Sequence, residues 1–161
     1  MKQLVSLKVN GESYEVAVEP RRTLVDVLRD ELQLTGAKKG CGGLGQCGAC
    51  TVIIDGKAVD SCLVLAMDAR DKDIVTIEGV GEKGKLHPIQ QALLDDSFIQ
   101  CGFCIPGLVL SAKALFDENP SPTEDEIITA LAGVLCRCTG YTQYKDVLVK
   151  LAKQQGRGGE E

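Results

Sequence analysis

The sequence predicts an α+β fold in which a strand-rich first half is followed by a helical second half. Three observations carry that reading. Two hairpin dipeptides, Asn10-Gly11 and Asp55-Gly56, lie within the first 60 residues. A glycine-rich break follows, Gly79-Val80-Gly81-Glu82-Lys83-Gly84, with the composition of a linker. Beyond it the apolar residues recur mainly at helical spacing.

Taken in order, Leu4 to Val9 and Glu12 to Val18 read as strands around Asn10-Gly11, and Pro20 ends the second. Thr23 can cap a helix whose apolar positions are Leu24, Val27, Leu28 and Leu32, with Asp26 in its first turn. A glycine-dense stretch from Gly36 to Gly48 carries three cysteines. Thr51 to Ile54 and Lys57 to Val59 form a second hairpin around Asp55-Gly56, Cys62 to Met67 reads as one or two helical turns, and Ile74 to Glu78 as a closing strand. In the second half Pro88 starts a helix to about Leu94. Pro106 stands in the first turn of the next, ahead of Leu108, Val109, Ala112, Leu115 and Phe116. Pro120-Ser121-Pro122 breaks that run, and Thr123 with Glu126 forms a capping box ahead of Ile127, Ile128 and Leu131. A last helix runs from Thr142 to Lys153 with Tyr144, Val147, Leu148 and Leu151 on one face. The expected division is 1–79, 80–155 and a disordered tail at 156–161.

The net charge is −5 with no block of Lys or Arg, which argues against nucleic acid as the main partner. No run of about 18 apolar residues exists to span a bilayer. Lys8 falls where a signal peptide would place its apolar centre, and no twin-arginine leader precedes it. The expected location is cytoplasmic, where thiols stay reduced, so the eight cysteines read as ligands or nucleophiles rather than bridges. The only histidine, His87, forms no nucleophile–base pair that stands out and is expected at a helix start, without chemistry.

The cysteines sort into two sets of four. Cys41, Cys47 and Cys50 share one loop, and Cys62 lies past a hairpin. Four thiolates converging on a small core need a backbone that curls closely around it, and Gly40, Gly42, Gly43, Gly45 and Gly48 supply that freedom. Cys101 and Cys104 precede one helix, and Cys136 and Cys138 follow another, so two loops at helix ends can present the second set to one site. Spacing alone leaves zinc open, since zinc sites built from four cysteines are common. The glycine loop followed by Cys47-x-x-Cys50 lies closer to plant-type ferredoxin spacing, and so favours iron–sulfur.

Three segments then carry a resemblance: Gly40-Cys41 through Cys47-Gly48-Ala49-Cys50-Thr51-Val52, Gln100-Cys101-Gly102-Phe103-Cys104-Ile105-Pro106-Gly107, and Leu135-Cys136-Arg137-Cys138-Thr139-Gly140-Tyr141. Together they resemble the small iron–sulfur subunit of the xanthine dehydrogenase (molybdenum hydroxylase) family, over nearly the whole chain. The resemblance implies a β-grasp ferredoxin-like domain followed by a four-helix bundle, each with one 2Fe-2S cluster. It implies an electron-transfer subunit of an oxidoreductase, without a catalytic site of its own. Its partners would be a large subunit with a molybdenum–pterin cofactor and a medium subunit with FAD, in an assembly such as a dimer of heterotrimers. The ligands would be Cys41, Cys47, Cys50 and Cys62 for the first cluster, and Cys101, Cys104, Cys136 and Cys138 for the second. Gln100 and Cys138 would lie near the pterin, although Gln100 on its own reads as a polar cap or surface residue. Arg137 is given no catalytic part. One departure stands out: five residues separate Cys41 from Cys47 where the family generally keeps four, which implies an altered loop path. The rival readings are a zinc-stabilised interaction module and a free-standing ferredoxin.

Overall fold

The computed structural model describes residues 1–82 and 84–157. Among the described residues five strands and five α-helices follow one another as β1 (Gln3–Val9), β2 (Glu12–Val18), α1 (Leu24–Asp30), β3 (Thr51–Ile54), β4 (Lys57–Asp60), β5 (Asp73–Val75), α2 (Pro88–Asp95), α3 (Ile105–Glu118), α4 (Glu124–Leu131) and α5 (Thr142–Arg157). Both hairpin signals form tight turns, with φ of 53° and 81° at Asn10 and Gly11 and 49° and 83° at Asp55 and Gly56. Positive φ at both central residues matches the twist of the paired strands.

The strands form one mixed sheet in the order β2-β1-β5-β3-β4, with β1 and β5 parallel and the other pairs antiparallel. β5 is shorter than its apolar pattern suggests. The Asn10 side chain accepts from the Thr76 N–H at 2.9 Å and donates to the Thr76 hydroxyl at 2.9 Å. That clamp takes Thr76 out of the ladder, and Ile77–Gly79 turns as a 3₁₀ helix instead of continuing the strand. The expected helical segment at 62–67 is likewise reduced to one 3₁₀ turn, Ser61–Leu63. Its continuation is extended, because Val64 and Ala66 pair with the chain entering α1 (Leu24 N–H to Val64 O, 2.7 Å; Ala66 N–H to Arg22 O, 3.0 Å).

Two cores result. One lies between the sheet and α1, where Leu24, Val25, Val27 and Leu28 meet Val5, Leu7, Val9, Val52 and Ile74. The other lies among α2 to α5, with α2 against α3 and α5, and α4 against the same two helices. All four residues of β3 are buried. Its side chains alternate between faces, so Val52 and Ile54 enter the first core while Ile53 enters the second. Packing α3 against the side of the sheet opposite α1 thus explains a central strand that shows no polar alternation. The caps form as expected at Thr23 and at Thr123–Glu126, and His87 caps α2 with a box of its own, its Nδ1 accepting from Ile89 N–H while Gln90 Oε1 accepts from His87 N–H. α5 continues four residues past the expected end at Lys153, so the expected tail begins inside a helix, and residues 158–161 lie outside the described residues.

Candidate metal centres

The loop between α1 and β3 curls around the Cys41 sulfur. Gly42, Gly43 and Gly45 all take left-handed φ (74°, 96° and 66°), so the five residues between Cys41 and Cys47 curl through backbone that L side chains would resist. The result is a ring of donors: Leu44 N–H reaches Cys41 Sγ at 3.3 Å, and the Gln46 and Gly43 N–H groups also donate to it. These amides, Gln46 foremost, bring the Cys41 thiol down to about 6, with Cys47 as its sulfur neighbour. Cys50 and Cys62 are buried together at the start of β3 and in the turn after β4. The Ser61 hydroxyl closes that junction, donating to Cys50 O at 2.6 Å. Burial pushes Cys50 up to about 12, and the Asp60 carboxylate, 3.7 Å from its sulfur, adds to the rise.

The second set forms where α3 begins and α4 hands over to α5. Cys104 occupies the cap position of α3 and Gly102 turns the chain into it with φ 75°. Across from it, the Tyr141 hydroxyl accepts the Cys136 N–H at 3.0 Å and so fixes the Cys136–Cys138 turn. Cys101 and Cys138 are exposed with sulfurs 3.4 Å apart; Cys104 and Cys136 are buried. The Phe103 N–H lowers the Cys101 thiol, whereas the hydrogen bond to Cys101 raises Cys138. Burial pushes Cys104 up to about 11. It also opposes ionisation of Cys136, yet hydrogen bonds from Thr139 and Tyr144 bring that thiol down to about 6.

The eight cysteines predicted as ligands meet in twos: Cys41 with Cys47, Cys50 with Cys62, Cys101 with Cys138, Cys104 with Cys136. Among the described residues no three His, Cys, Asp or Glu side chains converge as they would on a single ion. Gln100 is exposed beside the second set, its amide donating to Cys138 O at 3.3 Å. The two sets touch through the backbone, since Leu135 N–H, next to Cys136, donates to Cys47 O at 2.9 Å. A Cβ on Gly48 would run into the Gly133 carbonyl, and one on Gly107 into the Gly48 carbonyl, so the close approach of the two loops depends on glycine at both places. Arg137 is exposed between two thiols. Three polar contacts have no counterpart in the sequence reading: Asp60 at Cys50, Thr139 at Cys136, and Tyr144 at both Cys104 and Cys136. For Tyr144 the available signal is a hydroxyl on an otherwise aliphatic face of α5.

Comparison with known proteins agrees with this geometry. Residues 7–75 match the 2Fe-2S iron–sulfur cluster binding domain, and residues 76–148 match a second, [2Fe-2S] binding domain. The chain is 49% identical to the small FeS subunit of nicotinate dehydrogenase from Eubacterium barkeri, over 85% of this chain and 87% of that one. It is 47% identical to a probable xanthine dehydrogenase subunit of Bacillus subtilis (strain 168), over 87% and 80%. This chain belongs to the small iron–sulfur subunits of the xanthine dehydrogenase family. Its fold superposes on a chain of quinoline 2-oxidoreductase from Pseudomonas putida 86 with a TM-score of 0.90, at 40% identity and 98% coverage of both chains. As a family member it carries two 2Fe-2S-binding domains and is the iron–sulfur subunit of an oxidoreductase.

The donor sets fit such a group. A 2Fe-2S cluster takes four cysteine thiolates, two on each iron. Two pairs of thiols in each predicted set would supply that number of donors. Backbone N–H groups aimed at Cys41 are the hydrogen bonds such sulfurs accept.

Proposed function

We propose that this chain relays electrons between a molybdenum–pterin centre on a large subunit and FAD on a medium subunit. The β-grasp half, residues 1–79, holds one cluster with Cys41, Cys47, Cys50 and Cys62. The four-helix-bundle half, residues 80–155, holds the other with Cys101, Cys104, Cys136 and Cys138. When bound, each cluster takes up and releases one electron. The sheet order β2-β1-β5-β3-β4 with one helix against it supports the first assignment, and the mutual packing of α2 to α5 the second.

The observation that carries the reading is the 2.9 Å hydrogen bond from Leu135 N–H to Cys47 O. It joins the backbone of a ligand in one set to the residue beside a ligand in the other. Two thiolate sets built independently for structural zinc have no need of that junction. The outward ends of the relay are separate surfaces. Gln100, Cys101 and Cys138 are exposed together and face the pterin side, with exposed Phe103, Leu135 and Tyr141 beside them. Leu44 and Leu63, also exposed, flank the other set and face the flavin side. In this reading the subunit works in the cytoplasm within an assembly such as a dimer of heterotrimers. Among the described residues no helix is long and apolar enough to cross a membrane.

Affinity purification of the chain from its native source, followed by mass spectrometry and a visible spectrum, tests the proposal. The expected result is a red-brown complex with a molybdenum-containing and a flavin-containing subunit that bleaches with dithionite. A red-brown chain that comes alone would make it a free-standing ferredoxin, and a colourless one a zinc module.

A further inference from the structure

The Tyr144 hydroxyl lies 3.5 Å from Cys104 Sγ and 3.7 Å from Cys136 Sγ, and the residue is 2% exposed. The ring itself sits in apolar surroundings. It shares its face of α5 with Val147, Leu148 and Leu151, and its ring meets Phe98 edge-on at 4.9 Å between centroids. A buried phenol must place its one O–H on an acceptor. Apart from the Thr139 hydroxyl, which itself lies 3.3 Å from Cys136 Sγ, the neighbouring polar atoms are the two sulfurs. Thiolates bound to iron carry no proton and can only accept, so occupancy of the site fixes the direction of this hydrogen bond.

We propose that Tyr144 is a potential-setting residue for the helical-domain cluster, donating its hydroxyl proton to the Cys104 and Cys136 sulfurs. A hydrogen bond to cluster sulfur stabilises the reduced state, which carries one more negative charge, and so raises the potential. Among the described residues no side-chain hydroxyl reaches the other pair: Cys101 and Cys138 are exposed, and Cys101 takes the backbone Phe103 N–H instead. Tyr144 therefore acts on one side of the cluster, the side turned to the protein interior, and leaves the side facing the partner free. This rests on the assignment of Cys101, Cys104, Cys136 and Cys138 as ligands.

The test is an EPR-monitored redox titration of the complex carrying Tyr144→Phe, with iron and acid-labile sulfide measured on the same sample. The expected result is four iron and four sulfide per chain, with the ratio of reduced to oxidised helical-domain cluster at a fixed potential falling about tenfold, a shift of about 59 mV for one electron. The other cluster should stay where it was. Equal midpoints in variant and wild type, at full iron and sulfide, would overturn the role of Tyr144 and leave the ligand assignment standing. Absence of iron from the wild-type chain would overturn the assignment itself. Should Tyr144→Phe lose the cluster, 3,5-difluorotyrosine at position 144 keeps the ring and the hydroxyl and makes a stronger donor. A raised potential then supports the proposal, and an unchanged one overturns it.

Discussion

Single side chains decide what the two centres can do, and they act on them with opposite sign. At the first centre the Asp60 carboxylate stands 3.7 Å from Cys50 Sγ and, among the described residues, has no ion-pair partner. A fixed negative charge there opposes addition of an electron. Asp60→Asn keeps the shape and removes the charge, and should raise the potential of the ferredoxin-like cluster alone, read in the same titration. At an effective dielectric of about 20 a charge about 6 Å away contributes about 3 kcal/mol, and solvent screening at this half-buried position reduces that severalfold. The proposed ligands should separate cleanly. Cys62→Ser should remove one of the two EPR signals and Cys104→Ser the other, each leaving about two iron and two sulfide per chain. The pairing of Cys41 with Cys47 was suggested by the sequence because spacing within a loop is a local property. Asp60 and Tyr144 were not, since each reaches its sulfur only after β4 and α5 have docked.

Elements position these groups through their ends more than through their lengths. β3 begins at one ligand loop, α3 at the other, and the two loops meet where glycine lets backbone approach backbone. Gly48→Ala, placed at φ 62° against the Gly133 carbonyl, should separate the halves. Limited proteolysis between residues 76 and 88 is expected to accelerate, and electron exchange between the clusters to slow, while each domain keeps its iron. The helix caps matter in the ordinary way. Thr123→Ala removes the cap of α4 and should lower stability by about 1 kcal/mol, checked by urea denaturation. The Thr123 N–H and hydroxyl hold Glu126 below its usual 4.5. A carboxylate depressed in the folded state binds fewer protons there than in the unfolded chain. Its stabilisation is therefore present above about 4.5 and is lost as pH falls through the folded value. Glu126→Gln should cost stability at pH 7 and cost little near pH 3, by the same urea assay. The caps at Thr23 and Thr123 were readable from residue type and spacing. The shortened β5 was not, because the Asn10–Thr76 clamp joins residues far apart in sequence.

At the scale of the whole molecule, two small cores share one sheet. Ile53 from the central strand enters the helical core while Val52 and Ile54 stay with α1. Burying one such aliphatic side chain contributes about 2 kcal/mol, and here it also fixes how the halves sit. The two-part division was visible in the change from strand to helix periodicity near the glycine-rich break. The apposition of the two thiol sets was not, because no local pattern encodes the Leu135–Cys47 contact. In the proposed relay that contact brings the two thiol-bearing loops together. The central claim is two binuclear clusters on eight thiolates, and iron, acid-labile sulfide and zinc measured per chain test it most directly. The account predicts four iron, four sulfide and no stoichiometric zinc, including a full cluster in the lengthened Cys41–Cys47 loop. Two iron and two sulfide would contradict the loop's capacity to hold its cluster, and two zinc without sulfide would contradict the relay altogether.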